Sequence, residues 1–329
     1  MKPTVRKIAD DLGLSSATVS KALAGRGEIS EETKERVRVH AQKLGYSKSV
    51  SVRRRLGVMV VNASEKEDSS ILFNLLMGFQ KYADSLGNDV IIINIKSEDQ
   101  NKESLDQFSY NNQLDGLFIA GLKNTDRYYH ELETALTPIV LMDIYSSNPM
   151  VGTVSTDNIS AGNLAIEHLV ELGHKRIGFV NGHKEAYVSQ ERLTGYLAAL
   201  HTHNIVFDQS LCFDGDFSTE SGAKAADYFA NKDVSAIYCA SDQMALGALQ
   251  RFHSLGFKLP QDISIIGFDN QPLGLGCSPS LTTIAQNPTA LGESACALLH
   301  ILAQKIPIRH VKLEPWIVVR ESTATFITF

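Results

Sequence analysis

Apolar and polar positions repeat at two different periods along this chain of 329 residues, and the change of period divides it. At the amino end Val5, Ile8, Ala9 and Leu12 recur at i, i+3, i+4 and i+7, which lines one face of a short helix, and Gly13 follows where such a helix stops. A second helix is predicted at once, with Ser15 as its N-cap, Val19 and Leu23 turned inward and Gly25 as its stop. Ser16, Ala17, Ser20 and Lys21 are left outward. A third begins after Ser30, sets Glu31 and Glu32 where the helix dipole favours carboxylates, and buries Val37, Ala41 and Leu44 before Gly45. Three short helices with one tight turn predict a small helix-turn-helix domain.

From Leu56 the pattern changes to apolar runs separated by helical stretches. LGVMVV, a helix from Ile71 to Leu86, VIIINI, a polar helix, GLFIA, another helix and Ile139 to Met142 form one series. After Ser160 a second follows: a helix to Leu172, RIGFV, a helix through Ala199, LCFDGDF, a helix to Phe229, AIYCA, a helix to Leu255, and ISIIGF. Such alternation predicts parallel sheets with crossover helices, here two doubly wound subdomains. A run as continuously apolar as VIIINI is expected to be covered on both faces.

Charge separates the same two regions. Residues 1–55 hold 13 lysines and arginines against 6 aspartates and glutamates, whereas the remainder holds 18 against 31. A basic helix-turn-helix on an acidic body points to duplex DNA, whose major groove receives the second helix. Lys21 is then suited to guanine N7 and O6, Ala17 to a thymine methyl, and Ser16 to either donor or acceptor. Arg6, Ser15, Ser20 and Tyr46 are placed to hold phosphates, and Thr4 and Thr18 complete the candidate set. The plain alternative for any one of them is a solvated helix position. Residues 47–55 carry no apolar period and end in Arg53, Arg54 and Arg55, so they read as a tether whose arginines either follow the DNA or are a solvated charge run.

The segment TVRKIADDLGLSSATVSKALAGRGEISEETKERVRVHAQKLGY resembles the headpiece of the lac and galactose repressor family. The likeness continues in order through DNISAGNLAIEHLVELGHKRIGFVNG, ERLTGYLAAL, SDQMALGAL, PQDISIIGFDN, SLTTIAQNPTALGESA and VVRESTA. It implies an α/β chain in which the three-helix DNA-binding domain (1–46) and short linker (47–55) precede a periplasmic-binding-protein type I body (56–329). The body would comprise one lobe of about 56–156 with 288–315 and another of about 157–287 with 316–329, the chain crossing between them three times. The family's hinge leucine has no counterpart here, since only Val50 and Val52 precede Leu56.

Ligands of open α/β sheets sit beyond the carboxyl ends of the strands, which two facing lobes turn into a cleft. Asp143, Asp157, Phe217, Ser241 and Asp269 follow strand-like runs, and Arg192 opens the ERLTGY helix. By similarity to the family, Arg192 and Asp269 form the main polar clamp, Asp143 and Ser241 add contacts, and Phe217 stacks on the ligand. The plain alternative for each acidic residue is a strand-end cap or an interlobe ion pair. Ile71 and Leu72 stand where some relatives carry aromatics at the cleft mouth, which argues against a flat purine.

Catalytic signatures are lacking: the sequence has no Gly-x-Ser-x-Gly, Walker loop, His-Glu-x-x-His or complete Gly-x-Gly-x-x-Gly. His201 and His203 would face different sides of a helix and read as surface residues rather than a metal pair. Cys212, Cys239, Cys277 and Cys296 are far apart and read as reduced, mostly buried thiols. No metal, cofactor or catalytic residue is expected. The expectation is a cytoplasmic, homodimeric repressor of an operator in double-stranded DNA, responding to a small metabolite, a carbohydrate foremost, without contact with a membrane. The alternatives are a transport-type solute receptor, a sugar-modifying enzyme using Asp143 and Asp269, or a nucleoside- or purine-responsive regulator that needs a corepressor.

Overall fold

The computed structural model describes residues 4–23, 29–44, 53–62 and 69–326, and the chain divides into a unit of residues 1–53 and a unit of residues 54–329. The expected roles of Gly25, Gly45, Tyr46, Val50 and Val52 lie outside the described residues.

In the first unit α1 (Val5–Leu12), α2 (Ser16–Leu23) and α3 (Glu31–Lys43) close on a core of Ile8, Ala9, Val19, Ala22, Val37 and Ala41. Local capping sets the ends. Thr4 Oγ1 accepts from the Lys7 N–H at 3.2 Å, Gly13 ends α1 at φ 65°, and Ser15 Oγ accepts from the Thr18 N–H at 3.0 Å. Ser30 Oγ does the same for the Thr33 N–H at 3.3 Å.

The second unit contains two lobes. β1 (Arg55–Val61), α4 (Ser69–Ser85), β2 (Asp89–Ile95), α5 (Leu105–Asn111), β3 (Gly116–Ala120), α6 (Arg127–Glu131), β4 (Ile139–Met142) and β5 (Val151–Thr156) build the first. The chain then enters the second through α7 (Asn158–Glu171), β6 (Ile177–Asn181), α8 (Tyr187–Thr202), β7 (Cys212–Asp214) and α9 (Thr219–Phe229). It completes that lobe with β8 (Ala236–Cys239), α10 (Asp242–Ser254), β9 (Ser264–Asp269) and β10 (Thr282–Ala285). It returns with α11 (Pro288–Ala303) and β11 (His310–Leu313), and crosses once more into β12 (Trp316–Val318). The strand orders are β11-β5-β4-β3-β1-β2 and β12-β10-β9-β8-β6-β7, and among the described residues every strand pairing is parallel except that of β10 with β12. All three crossings leave from the carboxyl ends of parallel strands, so those edges of the two sheets flank the connections.

The return of α11 depends on small residues. A Cβ on Gly78 would lie 2.0 Å from the Thr289 carbonyl oxygen, and one on Gly292 the same distance from that of Leu75. Backbone therefore rides on backbone where α4 meets α11, and Thr289 is held against the middle of α4.

Two sequence expectations need correction. Among the described residues VIIINI is an edge strand with β1 as its one neighbour, and Ile92 is 58% exposed, so the run is apolar without being enclosed. The tether stops short of Arg54 and Arg55: the Arg54 N–H donates to Asn88 Oδ1 at 3.1 Å, the Arg55 N–H to Asp115 Oδ2 at 2.8 Å, and Arg55 opens β1 opposite Asp89. Backbone pairing captures these two arginines for the body, whatever their side chains do.

Candidate functional site

On the headpiece, packing decides which face of α2 is available. Val19 and Ala22 are fully buried, which turns Ser16, Ala17 and Lys21 to solvent on the opposite side. Arg6 is exposed on α1, and Thr4 and Ser15, though exposed, use their hydroxyls as helix caps. Thr18 Oγ1 pairs with Ser15 Oγ at 2.8 Å and Ser20 is half-buried, so these two border the exposed face rather than form its centre. Arg53 is exposed.

In the body, a polar network forms between the lobes. Arg192 is 6% exposed on α8; its Nε donates to Asn158 Oδ1 at 2.9 Å, Nη1 donates to the Ala240 carbonyl, and its Cζ sits 3.5 Å above the Phe268 ring. Asn158 Nδ2 reaches Glu191 Oε2 at 3.2 Å, and Glu191 Oε1 meets Lys312 Nζ at 2.8 Å. Because Glu191 belongs to the second lobe and Lys312 to the first, this ion pair spans the cleft. Beside it Tyr145 and Tyr187 bring rings from opposite lobes to 4.8 Å. Asp143, in a left-handed backbone at φ 62°, accepts from Ser155 Oγ at 2.5 Å. Burial pushes its carboxyl above the ordinary range, with Ser155 and the positive charge of Arg192 pulling the other way. Asp143 and Arg192 are thus brought together through Ser155 and Asn158.

The remaining candidates separate into different roles. Asp157 caps α7 by accepting from the Ser160 N–H at 3.1 Å, and Ser241 caps α10 by accepting from that of Met244 at 3.1 Å. Phe217, at φ 68°, lays its ring where a Cβ on Gly182 would fall 1.9 Å from Cζ. Leu72 packs against the core of the first lobe. Ile71 and Asp269 share a cavity of about 360 Å³ at the mouth of the cleft. Its walls include Asn74 of α4, Asn270 and Gln271 after β9, Gln286 and Asn287 after β10, and Trp316 at the start of β12. Gln286 joins the lobes there: its Oε1 accepts from Thr156 Oγ1 at 2.9 Å and its Nε2 donates to Asp269 Oδ1 at 2.6 Å. A wider depression of about 670 Å³, lined by residues including Phe257, Leu259 and Pro279, lies toward the amino ends of β9 and β10 and holds none of these groups.

Sequence reasoning missed Gln286, Glu191, Lys312 and Trp316. The strand-end rule that selected Asp269 would have found Gln286 had it been applied to TTIA. The single tryptophan of the chain was a second available signal.

Asp242 was also missed. It is fully buried at the start of α10, where it accepts from Thr283 Oγ1 and from the Gln271 N–H, each at 2.6 Å. Burial outweighs both hydrogen bonds and pushes its carboxyl up to about 6. The unfolded chain holds that proton less tightly, so the stabilisation linked to it is complete below about pH 4 and is lost as pH rises through about 6. Thermal melts across that window should show wild type losing up to about 3 kcal/mol relative to Asp242→Asn. Parallel pH profiles for the two proteins would remove the assignment.

His201 is exposed, whereas His203 is half-buried past the end of α8, which corrects its reading as a surface residue. No group of three or more His, Cys, Asp or Glu able to hold a metal occurs among the described residues. No described helix is long and apolar enough to cross a membrane. Cys239 and Cys296 are buried, Cys212 and Cys277 half-buried, and all four are free thiols.

A helix-turn-helix unit on a body of two facing α/β lobes with a polar cleft defines the class of ligand-responsive DNA-binding regulators. Comparison with known proteins agrees. A model of the lacI family of bacterial regulatory proteins matches residues 4–49, and one of the periplasmic binding protein-like domain matches residues 166–323. The HTH-type transcriptional repressor CytR of Escherichia coli K12 is 32% identical over 90% of this chain and 88% of its own. The repressor PurR of Actinobacillus pleuropneumoniae serotype 3 is 30% identical over 95% of this chain and 94% of its own. Among solved structures, the CelR–cellobiose complex matches with a TM-score of 0.73 at 26% identity, covering 97% of this chain and 99% of that one. The lac repressor dimer bound to operator and an anti-inducer shares the fold, with a TM-score of 0.71 at 24% identity over 98% of this chain and 100% of that one. The chain belongs to the lacI family of bacterial regulatory proteins.

Proposed function

We propose that this protein is a cytoplasmic transcriptional repressor without catalytic activity, which binds a two-fold symmetric operator as a homodimer and senses a small metabolite between its lobes. The observation that carries the reading is the solvent-facing row of Ser16, Ala17 and Lys21 on α2, opposite the buried Val19 and Ala22. A short helix seated in this way can enter a major groove and present those side chains to base edges. Arg6 and the other exposed groups of the headpiece hold phosphates and fix the register. In the body Asp269 meets the ligand in the cavity, while Arg192 and Asp143 act from the network beneath it. The ligand alters DNA affinity only by its difference in affinity for the two arrangements of the lobes. A carbohydrate suits the cavity's many amides, and the CelR relative was solved with cellobiose.

Selection of binding sites from random duplexes with the full chain tests the reading. Enriched sequences should be inverted repeats whose half-site centres lie about 10 base pairs, or a multiple of that, apart. Their affinity should fall steeply with salt as phosphate contacts release counterions. Enrichment of no symmetric site, or affinity indifferent to salt, would overturn it.

A further inference from the structure

We infer that Asp242 and Arg320 are positioning residues for the cavity at the cleft mouth: from behind its wall they hold Asp269, Asn270 and Gln271 in the strained turn that forms part of that wall. The inference rests on the reading of this cavity as the effector site and adds what keeps the wall in shape.

β9 ends on two consecutive residues with left-handed backbone, Asp269 at φ 116° and Asn270 at φ 57°. A side chain crowds the backbone at such angles, so two in succession persist only where the surroundings over-determine them. Asp269, Asn270 and Gln271 all line the cavity, whereas neither Asp242 nor Arg320 is among the described residues that do so. The strain therefore lies in the wall, and the groups that hold it lie outside the space a ligand would fill.

The restraint comes from two sides. From α10, buried Asp242 accepts from the Gln271 N–H with one oxygen and from Thr283 Oγ1 with the other, each at 2.6 Å, and Thr283 Oγ1 in turn accepts from the Asn270 N–H at 3.3 Å. Gly267 makes room for the carboxyl, since a Cβ there would lie 2.2 Å from Asp242 Oδ1. From beyond β12, half-buried Arg320 donates through Nη2 to Asn270 Oδ1 at 2.5 Å and through Nη1 to the Leu281 carbonyl at 2.6 Å. The N–H groups of Asn270 and Gln271 and the Asn270 side chain are thus claimed by groups fixed on α10, β10 and the segment after β12. Charged partners hold such geometry more firmly than neutral ones. Without them Asn270 returns to negative φ. That rotation displaces Asp269, and with it Gln286, whose Nε2 donates to Asp269 Oδ1 at 2.6 Å.

Hydrogen exchange of the full chain, followed on peptides covering residues 264–276, tests the inference together with the emission of Trp316, the one tryptophan of the chain and a residue of the same cavity wall. Arg320→Met should raise exchange in those peptides about tenfold or more, as expected when a hydrogen bond to a charged group is lost, and should change the quenching of Trp316 by acrylamide. Thr283→Val, which keeps the shape and removes the hydroxyl, should release the same peptides from the other side. In an Asn270→Gly background the left-handed backbone no longer needs holding, so Arg320→Met should lose most of its effect there. A contribution to general stability alone would raise exchange throughout the second lobe and would not depend on residue 270. Exchange unchanged at the turn in both variants, or an Arg320→Met effect undiminished by Asn270→Gly, would overturn the inference. Cellobiose, ribose and adenosine probe the reading beneath it: whichever binds wild type should bind Arg320→Met about tenfold more weakly. Equal binding by the two proteins, with the turn released in the variant, would take this wall out of the effector site and leave the restraint standing.

Discussion

Lys21→Ala should weaken binding to a selected operator by about tenfold to a hundredfold, corresponding to the roughly 1–3 kcal/mol of a good base contact, while changing affinity for unrelated duplex far less. Lys21 is exposed on α2, and its neighbours Val19 and Ala22 anchor the helix without it. Alanine favours the helix, so the substitution removes a reader and leaves its support. Fluorescence anisotropy with operator and scrambled duplexes over a range of salt gives both numbers. A loss equal on both duplexes, with the salt slope smaller by about one, would make Lys21 a phosphate contact and leave base reading to Ser16 and Ala17.

Arg192→Met should lower the stability of the body by about 3–5 kcal/mol, the cost typical of breaking a buried charged network. The guanidinium satisfies Asn158 and the Ala240 carbonyl and lies on the Phe268 ring. Methionine fills part of the space but returns none of the hydrogen bonds, and it removes positive charge beside Glu191 and Asp143. Differential scanning calorimetry should show a Tm lower by on the order of 10 °C. Unchanged Tm with effector response abolished would restore Arg192 to the role of a ligand clamp and remove it from the support of the cleft.

Much of the fold is legible in the sequence. The headpiece could be read residue by residue because its caps and core repeat at short range: Ser15, Val19 and Ser30 act where periodicity placed them. The lobes were legible as alternation. What escaped depends on which strand lies next to which. VIIINI has the composition of an enclosed strand, but β2 is at the sheet's edge. Asp157 and Ser241 are a different case, since each precedes a helix whose first amides bond its oxygen, a local cap that was open for Asp157 from the outset. Glu191 and Lys312 are 121 positions apart, and no local pattern pairs them.

The ion pair between Glu191 and Lys312, with Tyr145 against Tyr187, has a consequence for signalling range. The two halves of the body grip each other across their own mouth through these side chains. These contacts belong to one arrangement of the halves, and a guest that favours it adds its increment to whatever tilt they give the balance. The response then begins at lower guest concentration and spans a narrower interval between off and on than in a receptor whose halves touch only through the molecule they catch.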